Sequence, residues 1–142
     1  MIHRQDAKSA KDAKKKEPDR ALDQLAYAAI SAAIEVHRLL GPVFREAIYE
    51  GALCVELQLR EIPFVRQPVV TLHYKGHVVG EGRLDVLIGD AVVIELKAVD
   101  MLAPIHTAQL LSYLKATGYQ LGLLMNFNVP ILKDGIKRVI LT

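Results

Sequence analysis

Between Arg83 and Lys97 the chain carries two acids and two cations at a spacing that a β-hairpin would gather into one cluster. Runs rich in Val, Ile and Leu flank Gly89-Asp90-Ala91 and read as two strands around a turn. A three-residue turn centred on Asp90 pairs Asp85 with Glu95. Leu84/Leu96, Val86/Ile94 and Ile88/Val92 then become neighbours on one face, leaving Asp85, Glu95, Arg83 and Lys97 on the other. A two-residue turn would scatter the apolar pairs over both faces, so the hydrophobic pattern itself selects the register that joins the carboxylates. Two carboxylates about 4 Å apart cost on the order of 4 kcal/mol at an effective dielectric near 20, and so call for a cation, a shared proton or basic neighbours. Magnesium answers that need, since it takes one or two protein carboxylates, keeps several waters and accepts phosphate oxygens. Such a centre acidifies water and neutralises charge on a phosphate, the two services that phosphodiester hydrolysis requires, with Lys97 orienting the water or stabilising the pentavalent phosphate. An ordinary cross-strand network of Asp85 and Glu95 with Arg83 and Lys97 accounts for the same charges without any chemistry.

Helices must bring further residues to such a hairpin. Asp19 reads as the N-cap of a helix whose apolar positions Leu22, Leu25, Ala26, Ala29, Ala33, His37 and Leu40 follow the 3.6-residue period, ended by Gly41-Pro42. His37 lies on that stripe and reads as a hydrogen-bonded core histidine. A second helix starts after Pro42 and runs to about Arg60, with Phe44, Ala47, Ile48, Ala52, Val55 and Leu59 as its inner face. Glu46, Tyr49 and Glu50 share a neighbouring surface of it. Glu46 and Tyr49 border the apolar stripe, and spacing alone favours an exposed Glu beside a half-buried Tyr over a pair looking into a cleft.

After Ile62-Pro63 three strand-like runs, Pro68–Tyr74, His77–Ile88 and Ala91–Val99, form an antiparallel meander with turns at Lys75-Gly76 and Gly89-Asp90. Pro104 begins another helix, in which Ala108, Leu111, Leu114 and Lys115 alternate with Gln109 and Tyr113, the last two four apart on one face. Gly118 suits its C-terminus, Leu121–Phe127 reads as a buried strand, and Ile136–Leu141 as an edge strand. The class is α/β (α+β), one domain over residues 19–142 behind a flexible, basic tail at 1–18.

Composition bounds the rest. With 142 residues, 51% of them apolar, the chain supports one core and is too short for two ordinary domains. No apolar run approaches the roughly 20 residues that span a bilayer, and the N-terminus lacks the form of a secretion signal, so a cytoplasmic protein with no membrane partner is expected. The lone cysteine, Cys54, reads as a small buried hydrophobe. Residues 1–20 hold seven of the 18 Lys/Arg and four of the 16 Asp/Glu, so the net charge of +2 sits in the tail, where Lys8–Lys16 can add non-specific affinity for nucleic acid.

Taken together, Asp85, Glu95-Leu96-Lys97, the helical Glu46 upstream and the helical Gln109 and Tyr113 downstream resemble the PD-(D/E)XK nuclease superfamily. The element order is similar to its restriction-endonuclease-like core, αβββαβ, with a mixed central sheet flanked by helices. Within it the chain is most similar to a small bacterial branch named for a GxxExxY signature. The likeness runs from about Leu22 to Leu141 and includes Ala33-Ile34-Glu35-Val36-His37, Gly41-Pro42, Glu46–Tyr49, Arg83–Asp85, Glu95–Val99, His106–Gly118 and Asn126-Phe127-Asn128-Val129-Pro130. Gln109 and Tyr113 also resemble the Q-x-x-x-Y element of RecB-type nucleases. The signature's Gly is replaced by Val43. The resemblance implies a nuclease in which Asp85 and Glu95 bind Mg²⁺ or Mn²⁺, Glu46 completes the acidic site and Lys97 is catalytic. Tyr49, Arg83, His106, Gln109 and Tyr113 would support the site or contact nucleic acid, with DNA favoured over RNA. A catalytically silent binding module on the same fold is the alternative, and a homodimer covering the exposed strand edge at Pro68–Tyr74 is a further expectation.

Overall fold

The computed structural model describes residues 20–142; the Asp19 cap and the tail at 1–18 lie outside the described residues. Two helices come first, α1 (Arg20–Leu40) and α2 (Glu46–Leu59). Five short strands follow: β1 (Phe64–Arg66), β2 (Val69–Tyr74), β3 (His77–Arg83), β4 (Val86–Ile88) and β5 (Val92–Lys97). The chain closes with α3 (Pro104–Thr117), β6 (Leu121–Asn126), a single 3-10 turn (Leu132–Gly135) and β7 (Ile136–Ile140). The central sheet has the order β1-β4-β5-β6-β7, and only the β5/β6 pair is parallel. This is the mixed α/β sheet between helices that the sequence leads one to expect.

Two apolar layers hold it. On one face Ala26, Ala29, Ala32, Ala33 and Val36 of α1 and Tyr49, Leu53 and Leu57 of α2 pack on Val86, Ile88, Val92, Ile94 and Leu96. On the other, Leu110 and Leu114 of α3 pack on Leu87, Val93 and Leu124. Small side chains on α1 let its backbone approach the sheet closely. His37 is buried and donates from Nε2 to the Val129 carbonyl at 2.8 Å, the core role expected of it. Cys54 is also buried, and burial pushes its thiol up.

The hairpin register is as the apolar pattern requires: Val86 pairs with Ile94 and Ile88 with Val92 across Gly89-Asp90-Ala91. Gly89 (φ +57°) and Asp90 (φ +52°) take the left-handed conformations that such a turn needs.

Several expectations need correction. His77–Ile88 is not one strand, and the meander is not continuous. Its first part pairs only with β2 as a two-stranded ribbon, whereas β4 joins the main sheet beside β1, a strand of three residues that carries no readable pattern. The break has a local cause: Gln67 (φ +54°) turns the chain just before Pro68, which has no N–H to continue a ladder. Leu84 then donates to the Pro68 carbonyl at 3.1 Å, and its side chain falls into the α3 layer rather than opposite Leu96. The second helix begins at Glu46, not after Pro42, because residues 42–44 form bends. Its buried face is Tyr49, Glu50, Leu53, Cys54 and Leu57, while Phe44, Ile48, Val55 and Leu59 are exposed. On α1 and α3, Leu40, Ala108 and Lys115 are likewise exposed, and Leu110 takes the buried place.

Candidate active site

Asp85 lies in the two-residue gap between β3 and β4, and Glu95 lies near the end of β5. The break before β4 leaves Asp85 without a ladder partner there, and its Oδ2 accepts the Leu96 backbone N–H at 2.8 Å. Strand alternation turns Val92, Ile94 and Leu96 toward α1 and α2, and so turns Glu95 and Lys97 toward α3. Glu95 is 6% exposed, and its Oε2 is buried with no hydrogen-bond partner. Burial pushes the Glu95 carboxyl up to about 8, the neighbouring Asp85 carboxylate adds to the rise, and the Lys97 ammonium opposes it. Burial also raises Asp85, against the Leu96 hydrogen bond; the charges of Glu50 and then Glu46 raise it further. Both shifts run the same way, so the pair favours a shared proton or a cation between the two carboxyls.

Lys97 Nζ stands 3.8 Å from Glu95 Oε1 and donates to Gln109 Oε1 at 3.2 Å. Gln109 thus fixes the ammonium from α3, the element that crosses over between the parallel strands β5 and β6. Its Lys97 partner is also anchored through the backbone. Phe127 donates to the Lys97 carbonyl at 2.9 Å, and the Asn126 side chain clamps Val99 through both its N–H (3.1 Å) and its carbonyl (2.9 Å).

The other sequence-predicted residues fall in distinct places. Glu46 is the first residue of α2 and is exposed, close enough for its charge to act on both Asp85 and Glu95. Tyr49 is wholly buried rather than half-buried; it stacks on Phe127 with centroids 4.6 Å apart, donates to the Gly41 carbonyl at 2.6 Å and accepts the Phe44 N–H at 3.1 Å. That fixes the bend that delivers Glu46. Tyr113 is half-buried against β3, where a Cβ on Gly82 would stand 2.7 Å from its ring and hydroxyl. His106 accepts the Ala103 N–H through Nδ1 at 2.9 Å, which closes the first turn of α3. Arg83 ends β3 opposite Val69, exposed and without a hydrogen bond or ion pair among the described residues, so it takes no part in the expected cross-strand network.

Sequence reasoning placed Glu50 on the Glu46 surface without giving it a role, and did not single out Arg66 or Gln67. Glu50 is buried one helical turn after Glu46, and its Oε2 accepts both Arg66 Nε at 2.7 Å and Gln67 Nε2 at 2.9 Å. The i,i+4 spacing of Glu46 and Glu50 is the signal that puts both on one helix surface.

Among the described residues no group of three His, Cys, Asp or Glu side chains is gathered for a metal ion. Asp85 and Glu95 fit a hard divalent cation nonetheless. Magnesium needs only one or two carboxylates and completes its shell with water. The buried Glu95 Oε2, which has no hydrogen-bond partner, and the adjacent Asp85 carboxylate are the hard oxygen donors that such a cation takes.

A mixed sheet between helices, with one acid just before β4, a second on the neighbouring β5 and a lysine two residues beyond it, defines a restriction-endonuclease-like core. Residues 23–139 match the family model of the PD-(D/E)XK nuclease superfamily, and the chain belongs to that superfamily. No curated protein and no solved structure matches it. Among the described residues no helix is long and apolar enough to cross a membrane.

Proposed function

We propose that this protein is a metal-dependent nuclease that hydrolyses phosphodiester bonds, with DNA as its favoured substrate. One observation carries the reading: the Asp85 carboxylate and the buried Glu95, whose Oε2 has no hydrogen-bond partner, act on each other at a strand break, with Lys97 3.8 Å from Glu95 Oε1. Asp85 and Glu95 would hold Mg²⁺ or Mn²⁺, which would supply charge neutralisation at the phosphate and a more acidic water. Lys97, held by Gln109, directs that water and stabilises charge building on the phosphate oxygens. Glu46, exposed at the start of α2 and near enough for its charge to act on Asp85, is the further acid of the site, able to take up a proton. Tyr49, His106 and Tyr113 act as scaffold for the elements that carry these groups.

Membership of the GxxExxY branch is part of the proposal. Val43 occupies the glycine position of that signature and stands at φ +79°, the left-handed conformation glycine favours, which supports the assignment despite the substitution. DNA is favoured by the likeness of Gln109 and Tyr113 to the RecB-type element.

The test is incubation of the purified chain with linear, nicked and single-stranded DNA, and with RNA, in Mg²⁺ or Mn²⁺. Cleavage by the parent, abolished in Glu95→Ala and in Lys97→Ala, is expected. No cleavage of any substrate, or cleavage undiminished in both variants, overturns the reading.

A further inference from the structure

Arg66 ends β1 beside the acidic centre, its Cα paired with that of Val86, the residue after Asp85. Its Nε donates to Glu50, and the same Glu50 oxygen accepts Gln67 Nε2. Gln67 in turn donates its backbone N–H to the Asp85 carbonyl at 2.8 Å, so the Glu50–Arg66–Gln67 unit and the catalytic strand share one frame.

The two sides of this ion pair are unequally buried. The Glu50 side chain is 9% exposed and that of Arg66 46%. A pair serving only the α2–β1 contact would gain strength by shielding both partners; here the carboxylate is inside and the guanidinium leans out. Neither Nη group of Arg66 makes a hydrogen bond among the described residues. The inner edge of the fork is therefore held rigidly while the outer edge is free, which is the preorganisation that recognition of a phosphate by arginine requires. Charge points the same way. Glu46, Glu50, Asp85 and Glu95 repel a polyanion, and beside Lys97, which the reaction itself uses, Arg66 is a cation joined to this acidic group.

We infer that Arg66 binds a backbone phosphate of the nucleic acid, next to the phosphate that Asp85 and Glu95 address, with Glu50 and Gln67 as its positioning residues. This rests on the nuclease reading for the identity of the ligand. Gln67 adopts φ +54°, a conformation unfavourable for a side chain of its kind, and in doing so brings its amide to Glu50 and its N–H to Asp85.

The test is binding of labelled single-stranded and duplex oligonucleotides to the full chain in EDTA, where no cleavage occurs, over a series of salt concentrations. Arg66→Met is expected to weaken binding about tenfold at low salt and to reduce the slope of log K against log salt by about 0.7–0.9, while Mn²⁺ uptake measured by calorimetry stays at the parent value. Arg66→Lys, which keeps the charge and loses the fork, is expected to retain the slope with weaker binding. If Arg66→Met fails to fold because Glu50 is left uncompensated, Glu50→Leu/Arg66→Met replaces the pair with apolar side chains and is expected to show the same loss of slope. A folded variant with the parent's affinity and slope overturns the inference, whatever its thermal stability. Failure of the two readings is distinguishable. A slope lost in Arg66→Met by a protein that cuts nothing leaves the phosphate site standing, whereas cleavage by a parent whose slope Arg66→Met leaves unchanged removes the site and keeps the nuclease.

Discussion

The backbone N–H of Val43 donates to Asn128 Oδ1 at 3.2 Å, pinning a residue whose φ is +79°. A β-branched side chain in that conformation is strained by about 1–2 kcal/mol, and the Val43 side chain, 81% exposed, offers little packing in return. Val43→Gly removes the strain and keeps the hydrogen bond, against a smaller loss from the greater freedom of glycine in the unfolded chain. We expect a net gain of about 1 kcal/mol, read as a higher urea midpoint at unchanged slope. A lower midpoint would show that the bend does not demand a glycine-like backbone.

The same bend depends on Tyr49. Its hydroxyl bridges the Gly41 carbonyl and the Phe44 N–H, while its ring stacks on Phe127. Tyr49→Phe keeps the stack and strips the bend of a donor and an acceptor, leaving two backbone groups to find water. The expected loss is about 1–2 kcal/mol in denaturant unfolding. Because Glu46 follows directly, the variant should also lose cleavage rate with Mn²⁺ affinity nearly intact. Parent stability in Tyr49→Phe would mean that the bend holds without its bridge.

The residues above also show what can be read from sequence. The Asp85–Glu95 hairpin is legible because a period of two, interrupted by Gly89-Asp90-Ala91, admits one register that keeps the apolar side chains together. The core role of His37 is legible from its place on the α1 stripe. The buried face of α2 is not, because apolar residues occur almost all round that helix. Phe44, Ala47, Ile48, Ala52, Val55 and Leu59 make as good a stripe as Tyr49, Leu53, Cys54 and Leu57, and Phe127, far along the chain, decides between them by receiving the Tyr49 ring. Glu50 hides for a related reason. A glutamate reads as solvated until Arg66 and Gln67, brought back by a three-residue strand with no pattern of its own, satisfy it inside.

Gly82 and Tyr113 are coupled by contact. A methyl group at Gly82 would come within 2.7 Å of the Tyr113 ring and hydroxyl, so the ring must shift off β3 to admit it. Gly82→Ala is expected to destabilise by about 1–3 kcal/mol. The displacement falls on the α3 face that carries Gln109, one turn before Tyr113, so Lys97 should lose its hold and cleavage should fall with it. Tyr113→Ala in the Gly82→Ala background is expected to recover part of the stability, giving a favourable coupling in a double-mutant cycle. Additive losses would place the strain elsewhere.

The carboxyl pair ties stability to pH. The Glu95 carboxyl titrates near 4.5 in an unfolded chain and is pushed up to about 8 in the fold, chiefly by burial and then by the Asp85 charge. The folded state therefore holds this proton more tightly than the unfolded chain. Its contribution to stability is fully present below about 4.5 and is lost as the pH rises through about 8. Asp85 is raised in the same direction. In EDTA the thermal midpoint of the parent should fall across that window by an amount equivalent to a few kcal/mol, at about 1.4 kcal/mol for each tenfold change in proton affinity. Glu95→Gln carries a neutral group at every pH, so most of the decline should vanish. At pH 8 added Mn²⁺ should restore the parent by binding the ionised pair, and should do little for Glu95→Gln. An equal decline in both proteins would mean that the buried Glu95 carboxyl does not set the pH dependence.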